Sequence, residues 1–292
     1  MISSTSNPRI KAFYKLKEPH ERRKQGLCII EGRDEISLAF NTGVYIQTII
    51  FSSSRGGGTG GAKDRALMDE LRTHPHGAGI EFIDVSFNVL SHLAYRCHPD
   101  SLLAVAHCPK PSLADFEHKL MQGAGHSIIL LEGVEKPGNI GAALRSIDAA
   151  GLGGLLACSC WTDLANPNVI CASKGSVFTL PVAECTSEAA LSWVLEREYR
   201  IFALSPGIGE KYYNFGFFEA FNAITPGAPI RKAPNAAFVF GSEHDGLSPL
   251  WLEYAHVRLT IPMQGKVNSL NIAQAVTLVS YEIMRQKEFY TT

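Results

Sequence analysis

A chain of 292 residues that is 46% hydrophobic and 19% charged can bury a sizeable core and is long enough for two domains. Its net charge of −1 excludes a uniformly basic nucleic-acid coat, and no apolar run approaches the roughly 20 residues of a membrane span. Seven cysteines without a Cys-x-x-Cys pair, and ten histidines without a spaced ligand set, point to buried reduced thiols and to no metal.

The opening concentrates positive charge: residues 1–26 carry seven Lys/Arg (Arg9, Lys11, Lys15, Lys17, Arg22, Arg23, Lys24) against two Glu. A solvated helix face is the plain reading of such a run, and an RNA-binding surface the functional one. Residues Met1 to Leu16 lack the apolar core of a secretory signal, so a cytoplasmic location is expected, with a transit peptide as the lesser reading because no acid precedes Glu18. Asn7-Pro8 opens a helix to about Lys17. Leu27 to Gly32 reads as a strand, Arg33 to about Asn41 as a helix, and Ile46 to Phe51 as a β-branched strand.

Residues Ser52 to Ala62 hold a glycine-rich stretch, expected to lack regular structure. It is no phosphate loop, since Lys63 sits between Ala62 and Asp64 where Gly-Lys-Ser/Thr would be needed. A helix from Asp64 to about Arg72, a strand Ile80 to Asp84, a short helix from Ser86 and a strand Leu102 to His107 complete a small αβ domain over 1–108. Pro109 and Pro111 begin a linker over 109–125, with a helical connector to about Met121.

The second domain, 126–292, shows strands at Ser127–Leu131, Gly154–Cys158, Val177–Pro181, Tyr199–Leu204, Ala236–Phe240 and Val257–Ile261. Helical patterns lie between most of them, the mark of a parallel sheet covered on both faces. Residues Gly207 to Asn235, with several aromatics, read as a long irregular connection.

Three blocks of this domain carry chemistry. In Pro137-Gly138-Asn139 the asparagine is placed to cap a helix bearing Ile140, Leu144 and Ile147, and Arg145 falls in its second turn. Taken alone, Asn139 would be a cap and Arg145 a partner of Asp148. In the second block Glu243 stands in a loop between Gly241 and Gly246, directly past a strand, where glycine permits close backbone approach to a ligand. In the third, Asn268, Ser269 and Asn271 open a helix with the stripe Ile272, Ala275, Val276, Val279, Ile283. Three polar residues in four positions exceed what a cap requires, and the free N–H groups there suit a carboxylate.

Pro-Gly-Asn-Ile-Gly-Ala with Arg145, Phe-Gly-Ser-Glu with Gly246, and Ile-Pro-Met with Ser-Leu-Asn resemble, in order, the three signature motifs of the SpoU/TrmH family. These are S-adenosylmethionine-dependent RNA 2′-O-ribose methyltransferases of the SPOUT superfamily. The resemblance spans about Ser127 to Gln286 and takes in Asn166 to Ile170 and Ala172 to Ser176. Ser6 to Lys11 and Ile30-Glu31-Gly32 resemble the substrate-binding domain that precedes the catalytic domain in many members. Cys171 and Asp100-Ser101 depart from the pattern, away from the implied chemistry.

The resemblance implies an α/β fold, a SPOUT-type knot (deep trefoil) catalytic domain after a small αβ substrate-binding domain. It implies a homodimer with the active site at the interface, and donor contacts at Gly241, Ile261 and Leu270 with Met263 nearby. It makes Arg145 the residue that removes the ribose proton, oriented with Asn139, Glu243, Ser269 and Asn271. Because a guanidinium is a poor proton acceptor, Arg145 is either transiently neutral or a cationic clamp with an RNA phosphate taking the proton. The expected substrate is rRNA, gripped at Arg9, Lys11, Arg22, Arg23 and Lys24, without a metal. A tRNA substrate and a catalytically silent RNA-binding module are the alternatives. A dinucleotide-binding oxidoreductase is disfavoured, for want of a Gly-x-Gly-x-x-Gly turn.

Overall fold

The computed structural model describes residues 1–53, 59–95, 102–108, 111–123, 126–217 and 235–291. Residues 54–58 of the glycine-rich stretch, the departure at 100–101 and residues 218–234 of the irregular connection lie outside them. The chain divides into two units: Met1–Pro109 with Asp163–Thr179, and Lys110–Thr162 with Leu180–Thr292.

The first unit is built on a four-stranded sheet in the order β1 (Leu27–Glu31), β4 (Leu102–His107), β2 (Ile46–Phe51), β3 (Glu81–Asp84). Only the β2–β3 pair is parallel. Alternation along these strands sends Ile29, Ile50, Leu103 and Val105 into one apolar layer. There they meet Ile10 of α1 (Pro8–Lys15) and Val89, Leu90 and Leu93 of α5 (Phe87–Leu93). Asn7 caps α1 by accepting from the Arg9 N–H at 2.9 Å, and Ser86 caps α5. A short helix α2 (Pro19–Gln25), closed by Gly26 at φ +66°, went unforeseen.

Helices α3 (Arg33–Asn41), α8 (Pro167–Ala172) and α9 (Ser176–Thr179) belong to the same unit, α8 lying against β1 and α9 against α3. Two expectations are corrected here. The β-branched and aromatic run from Val177 is not a strand: it forms α9, tied back by Ser176 and by the Phe178 N–H to Gly175 at 2.9 Å. The strand comes later, at β7 (Val182–Cys185). Helix α4 (Thr59–Thr73) begins before Asp64 and takes in Gly60 and Gly61, so glycine did not keep that end of the stretch irregular.

The second unit carries a seven-stranded sheet ordered β7, β6 (Gly154–Cys158), β5 (Ser127–Glu132), β10 (Ala236–Phe240), β8 (Arg200–Leu204), β11 (Val257–Thr260), β9 (Glu210–Lys211). Every pairing in it is parallel. From β5 the chain builds outward through β6 and β7. It then resumes on the other side with β8, leaving a gap beside β5 that β10 later fills. Strand order therefore reverses at β5 and β10, where open parallel sheets leave a crevice past the strand ends.

All five residues of β10 are buried, as a parallel strand covered on both faces must be. Ile128, Leu130, Leu156, Ala237 and Val239 form one layer with α10 (Ser187–Glu196) and with Trp251 of α11 (Pro249–Tyr254). Within the stretch expected as a linker, α6 (Leu113–Gln122) starts with a Ser112–Asp115 capping box and buries Phe116 edge-on to Trp193 at 5.3 Å. In the other layer Phe238 stacks on Phe202 at 4.8 Å, and Phe217 packs edge-on against both. Phe217 comes from the irregular connection, whose start also contributes β9. Gln286 of the C-terminal helix α12 (Ile272–Thr291) holds it, accepting from the Phe217 N–H and donating to the Phe215 carbonyl, both at 2.8 Å.

Candidate active site

The crevice past the ends of β8, β10 and β11 is a pocket of about 310 Å³, at the small end of the range for small-molecule sites. Its walls include Leu204, Phe240, Leu270 and Ile272, with Glu243 and Ser269 among the polar groups. The loop after β10 is a tight structure. Ser242 and Gly246 exchange backbone hydrogen bonds at 3.1 Å, and the Ser242 hydroxyl accepts from the Asp245 N–H at 3.0 Å. Gly246 turns at φ +68°, and a Cβ on Gly241 would lie 2.0 Å from the Gly246 carbonyl carbon. The loop can thus close on itself only without a side chain at 241, and glycine at 246 takes the left-handed turn without strain.

Beneath that loop lies Glu132, the last residue of β5, 8% exposed. It accepts from the Ser187 hydroxyl, the Ser248 hydroxyl and the Ser248 N–H, each at 2.8 Å. A buried carboxylate without such donors would be costly, so these bonds fix β5, the start of α10 and the far end of the β10 loop together. Sequence reasoning gave Glu132 no role, although a charge closing an otherwise apolar strand was the available signal.

Helix α7 (Pro137–Ala149) starts three residues earlier than expected: its N-cap is Lys136, with Pro137 at the first helical position. Asn139 is therefore not a cap but a first-turn residue whose side chain is free for other work. Its amide donates to Glu243 Oε1 at 2.7 Å and accepts from the Asn271 amide at 3.0 Å. Asn271 also donates to Glu243 Oε1 at 3.2 Å, and accepts from the Ala273 N–H at 3.0 Å to cap α12. Lys136 Nζ stands 3.3 Å from Glu243 Oε2. One carboxylate thus gathers an ammonium and an amide from a loop about a hundred residues upstream and a second amide from 28 residues downstream. Lys136 is a member that sequence reasoning did not single out.

Of the other expected site residues, Gly241, Ile261, Met263, Ser269 and Leu270 line the pocket. Arg145 does not join the cluster. Six residues beyond Asn139 on an α-helix, it is about 9 Å further along the axis and turned by about 120°. It is exposed, and neither Asp148 nor any other described residue pairs with it. The α7 surface is held against α12 by a hydroxyl pair, Ser146 to Thr277 at 2.7 Å.

In the first unit, Lys11, Arg23 and Lys24 are exposed. Arg9 is exposed but forked onto Glu81, with Nη1 to Oε1 at 2.8 Å. Arg22 must be withdrawn from an RNA-facing set. It is 1% exposed, and its guanidinium is spent on Asp163 and on the carbonyls of Leu16 and Lys17. Among the described residues no group of three His, Cys, Asp or Glu could hold a metal ion. The six described cysteines are unbridged, and burial pushes the Cys160 thiol up to about 11.

Comparison with known proteins bears on both units. Residues 126–281 match the SpoU rRNA Methylase family, and residues 7–104 match an MRM3-like substrate binding domain. The chain is 25% identical over 285 residues to the 23S rRNA (guanosine(2553)-2′-O)-methyltransferase RlmP of Bacillus subtilis, covering 97% of this chain and 98% of that one. A crystal structure described as an RNA 2′-O ribose methyltransferase superposes with a TM-score of 0.78 at 31% identity, over 98% of this chain and 99% of the other. The fold is also that of the SpoU methyltransferase AviRb from Streptomyces viridochromogenes in complex with AdoMet, with a TM-score of 0.77 at 24% identity, covering 97% of this chain and 100% of that one. With more than half of its length inside the matched catalytic region, and its glycine-closed pocket loop and Asn139–Glu243–Asn271 cluster within that region, the chain belongs to the SpoU rRNA methylase family.

Proposed function

We propose that the protein transfers a methyl group from S-adenosylmethionine to a ribose 2′-hydroxyl of rRNA. The observation that carries this is the Asn139–Glu243–Asn271 cluster beside a pocket whose loop closes only with glycine at 241. The donor, bound against Gly241, Ile261, Met263 and Leu270, supplies a sulfonium-activated methyl: the ribose O–CH₃ bond forms as the S–CH₃ bond breaks, leaving a neutral thioether.

What the chain must add is position and the removal of one proton. The loop closed by Gly241 and Gly246 presents backbone groups to the donor. Glu243, held by Lys136, Asn139 and Asn271, is fixed in orientation before any substrate arrives, and Ser269 completes the polar rim. Preorganised dipoles of this kind cost no rearrangement during the reaction. Arg145 serves the reacting hydroxyl of a neighbouring subunit's site, as base or as clamp for the phosphate that takes the proton. Its outward aim from its own cluster and its lack of a partner among the described residues support this, as do Leu278 and Tyr281, 40% and 44% exposed on α12, which a homodimer would cover. The knot belongs to this reading too, as the reason the loops after β10 and β11 lie together.

The residues 1–108 act as the RNA-binding domain, with Lys11, Arg23 and Lys24 as phosphate contacts and Arg9 available only if Glu81 releases it. The protein acts in the cytoplasm. The test is methyl transfer from labelled S-adenosylmethionine to rRNA and tRNA prepared from cells lacking the protein, followed by alkaline hydrolysis. Label held in alkali-resistant dinucleotides of rRNA is expected, because a 2′-O-methyl group blocks cleavage of the adjoining phosphodiester. Label in a base, or donor binding with no transfer to any RNA, would overturn the reading; the second outcome would favour the silent module.

A further inference from the structure

The three tryptophans of this chain have opposite fates. Trp193 and Trp251 are 5% and 0% exposed, whereas Trp161 is 77% exposed. An isolated exposed hydrophobic needs no explanation in itself. Position and support set Trp161 apart.

Trp161 follows β6, so it stands at the same end of the parallel sheet as the loops after β5 and β10 that lead to Lys136, Asn139 and Glu243. Its backbone is laced to the first of these loops. The Trp161 N–H donates to the Val134 carbonyl at 3.2 Å, the Gly133 N–H to the Cys158 carbonyl at 2.9 Å, and the Cys160 thiol to the Leu131 carbonyl at 3.3 Å. Val134 is 3% exposed, which anchors the pair of loops in the core. Lys136 lies two residues from Val134, a chain distance of at most about 7 Å. An exposed indole is thus carried on a backbone bonded to the loop that leads to the ammonium touching Glu243.

We propose that Trp161 is a stacking platform for an RNA base next to the methylated nucleotide. This rests on the ribose methyltransferase reading. A ribose placed at the Asn139–Glu243 cluster leads the adjoining nucleotides along this edge of the sheet. An exposed aromatic face on a fixed backbone is what proteins use to stack the bases of a single strand. Stacking accepts any base, so the platform sets the grip and angle of the strand and leaves the choice of base to other groups. A second copy of the chain could instead cover the indole, and the experiment separates the two.

Trp161 is itself the reporter, since the other two indoles are shielded. Its emission is followed while the full-length protein is titrated at low salt with oligoadenylate, and with an abasic ribose-phosphate oligomer of the same length. Heats of S-adenosylmethionine binding are measured on the same samples. Oligoadenylate is expected to quench Trp161 and the abasic oligomer to leave it unchanged. Trp161→Ala should weaken oligoadenylate binding about tenfold and Trp161→Phe by less than about threefold, with donor binding unaltered in both. The platform is overturned by absent quenching up to millimolar oligomer, by a Trp161→Ala variant that binds as tightly as the parent, or by an indole that acrylamide cannot reach in the free protein. Donor heat without quenching sinks the platform alone; absence of donor heat sinks the enzymatic reading with it.

Discussion

Arg22 and Asp163, 141 residues apart in sequence, close a two-pronged ion pair within the first unit, Nε to Oδ1 at 3.0 Å and Nη2 to Oδ2 at 2.6 Å. Both side chains are buried, and the remaining Arg22 nitrogen donates to the Leu16 and Lys17 carbonyls. The pair clips the segment that begins at Asp163 onto the basic N-terminal stretch. Removing one partner leaves a charge in the interior, so Arg22→Ala or Asp163→Ala should cost about 3–5 kcal/mol. Replacing both by apolar residues of similar volume should cost much less. Urea unfolding of the singles and the double measures this; equal losses in all three would contradict it.

The loop after β10 has no room for a side chain at 241. Gly241→Ala places a Cβ against the backbone of Gly246 and Leu247, where no rotamer change can relieve it. We expect donor affinity to fall by at least tenfold while the melting temperature changes by only a few degrees. Calorimetry with S-adenosylmethionine beside thermal unfolding decides the matter.

Asn139, Glu243 and Asn271 act as one unit, so their losses should not add. Each of Asn139→Ala, Glu243→Ala and Asn271→Ala is expected to lower the rate of methyl transfer by about 10²–10³, and any pair by little more. Asn271→Ala has a second effect because Asn271 also caps the C-terminal helix, about 1 kcal/mol of stability that the other two leave intact. Strict additivity in a double-mutant cycle would show that the three do not share a function.

Arg145 and the pocket loop belong to different subunits in the proposed dimer. Arg145→Ala and Glu243→Ala proteins, each nearly inactive alone, should then regain about a quarter of the parent rate once mixed, unfolded and refolded together. Half the dimers are then hybrid, each with one intact site of two. No recovery would place Arg145 with its own chain's pocket or outside the reaction. An Arg145→Lys variant that kept near-native rates across the pH–rate profile would count against both roles given to the guanidinium.

The Cys160 thiol, pushed up to about 11 by burial, should resist alkylation in the folded protein. At pH 8 its thiolate fraction is on the order of a thousandth, so iodoacetamide should modify it only after unfolding. Peptide mapping after brief labelling, with and without urea, checks this; rapid modification of the native protein would mean that the loop under Trp161 opens.

The strands of both sheets were legible from the chain wherever apolar runs ended at glycine or a polar turn, because burial on both faces demands that pattern locally. The motif blocks holding Asn139, Glu243, Ser269 and Asn271 were legible for a related reason: each sits just past a strand or at the start of a helix, and strand ends and helix starts can be read from near neighbours. Packing between distant segments decided the rest. Whether Arg22 faces solvent or Asp163, whether Asn139 caps its helix or joins Glu243, and whether Val177 to Thr179 extends or coils depend on partners that no local window contains. A guanidinium or an amide has the same intrinsic preferences in either place, and only the fold supplies the buried carboxylate or the facing loop that makes one arrangement lower in free energy.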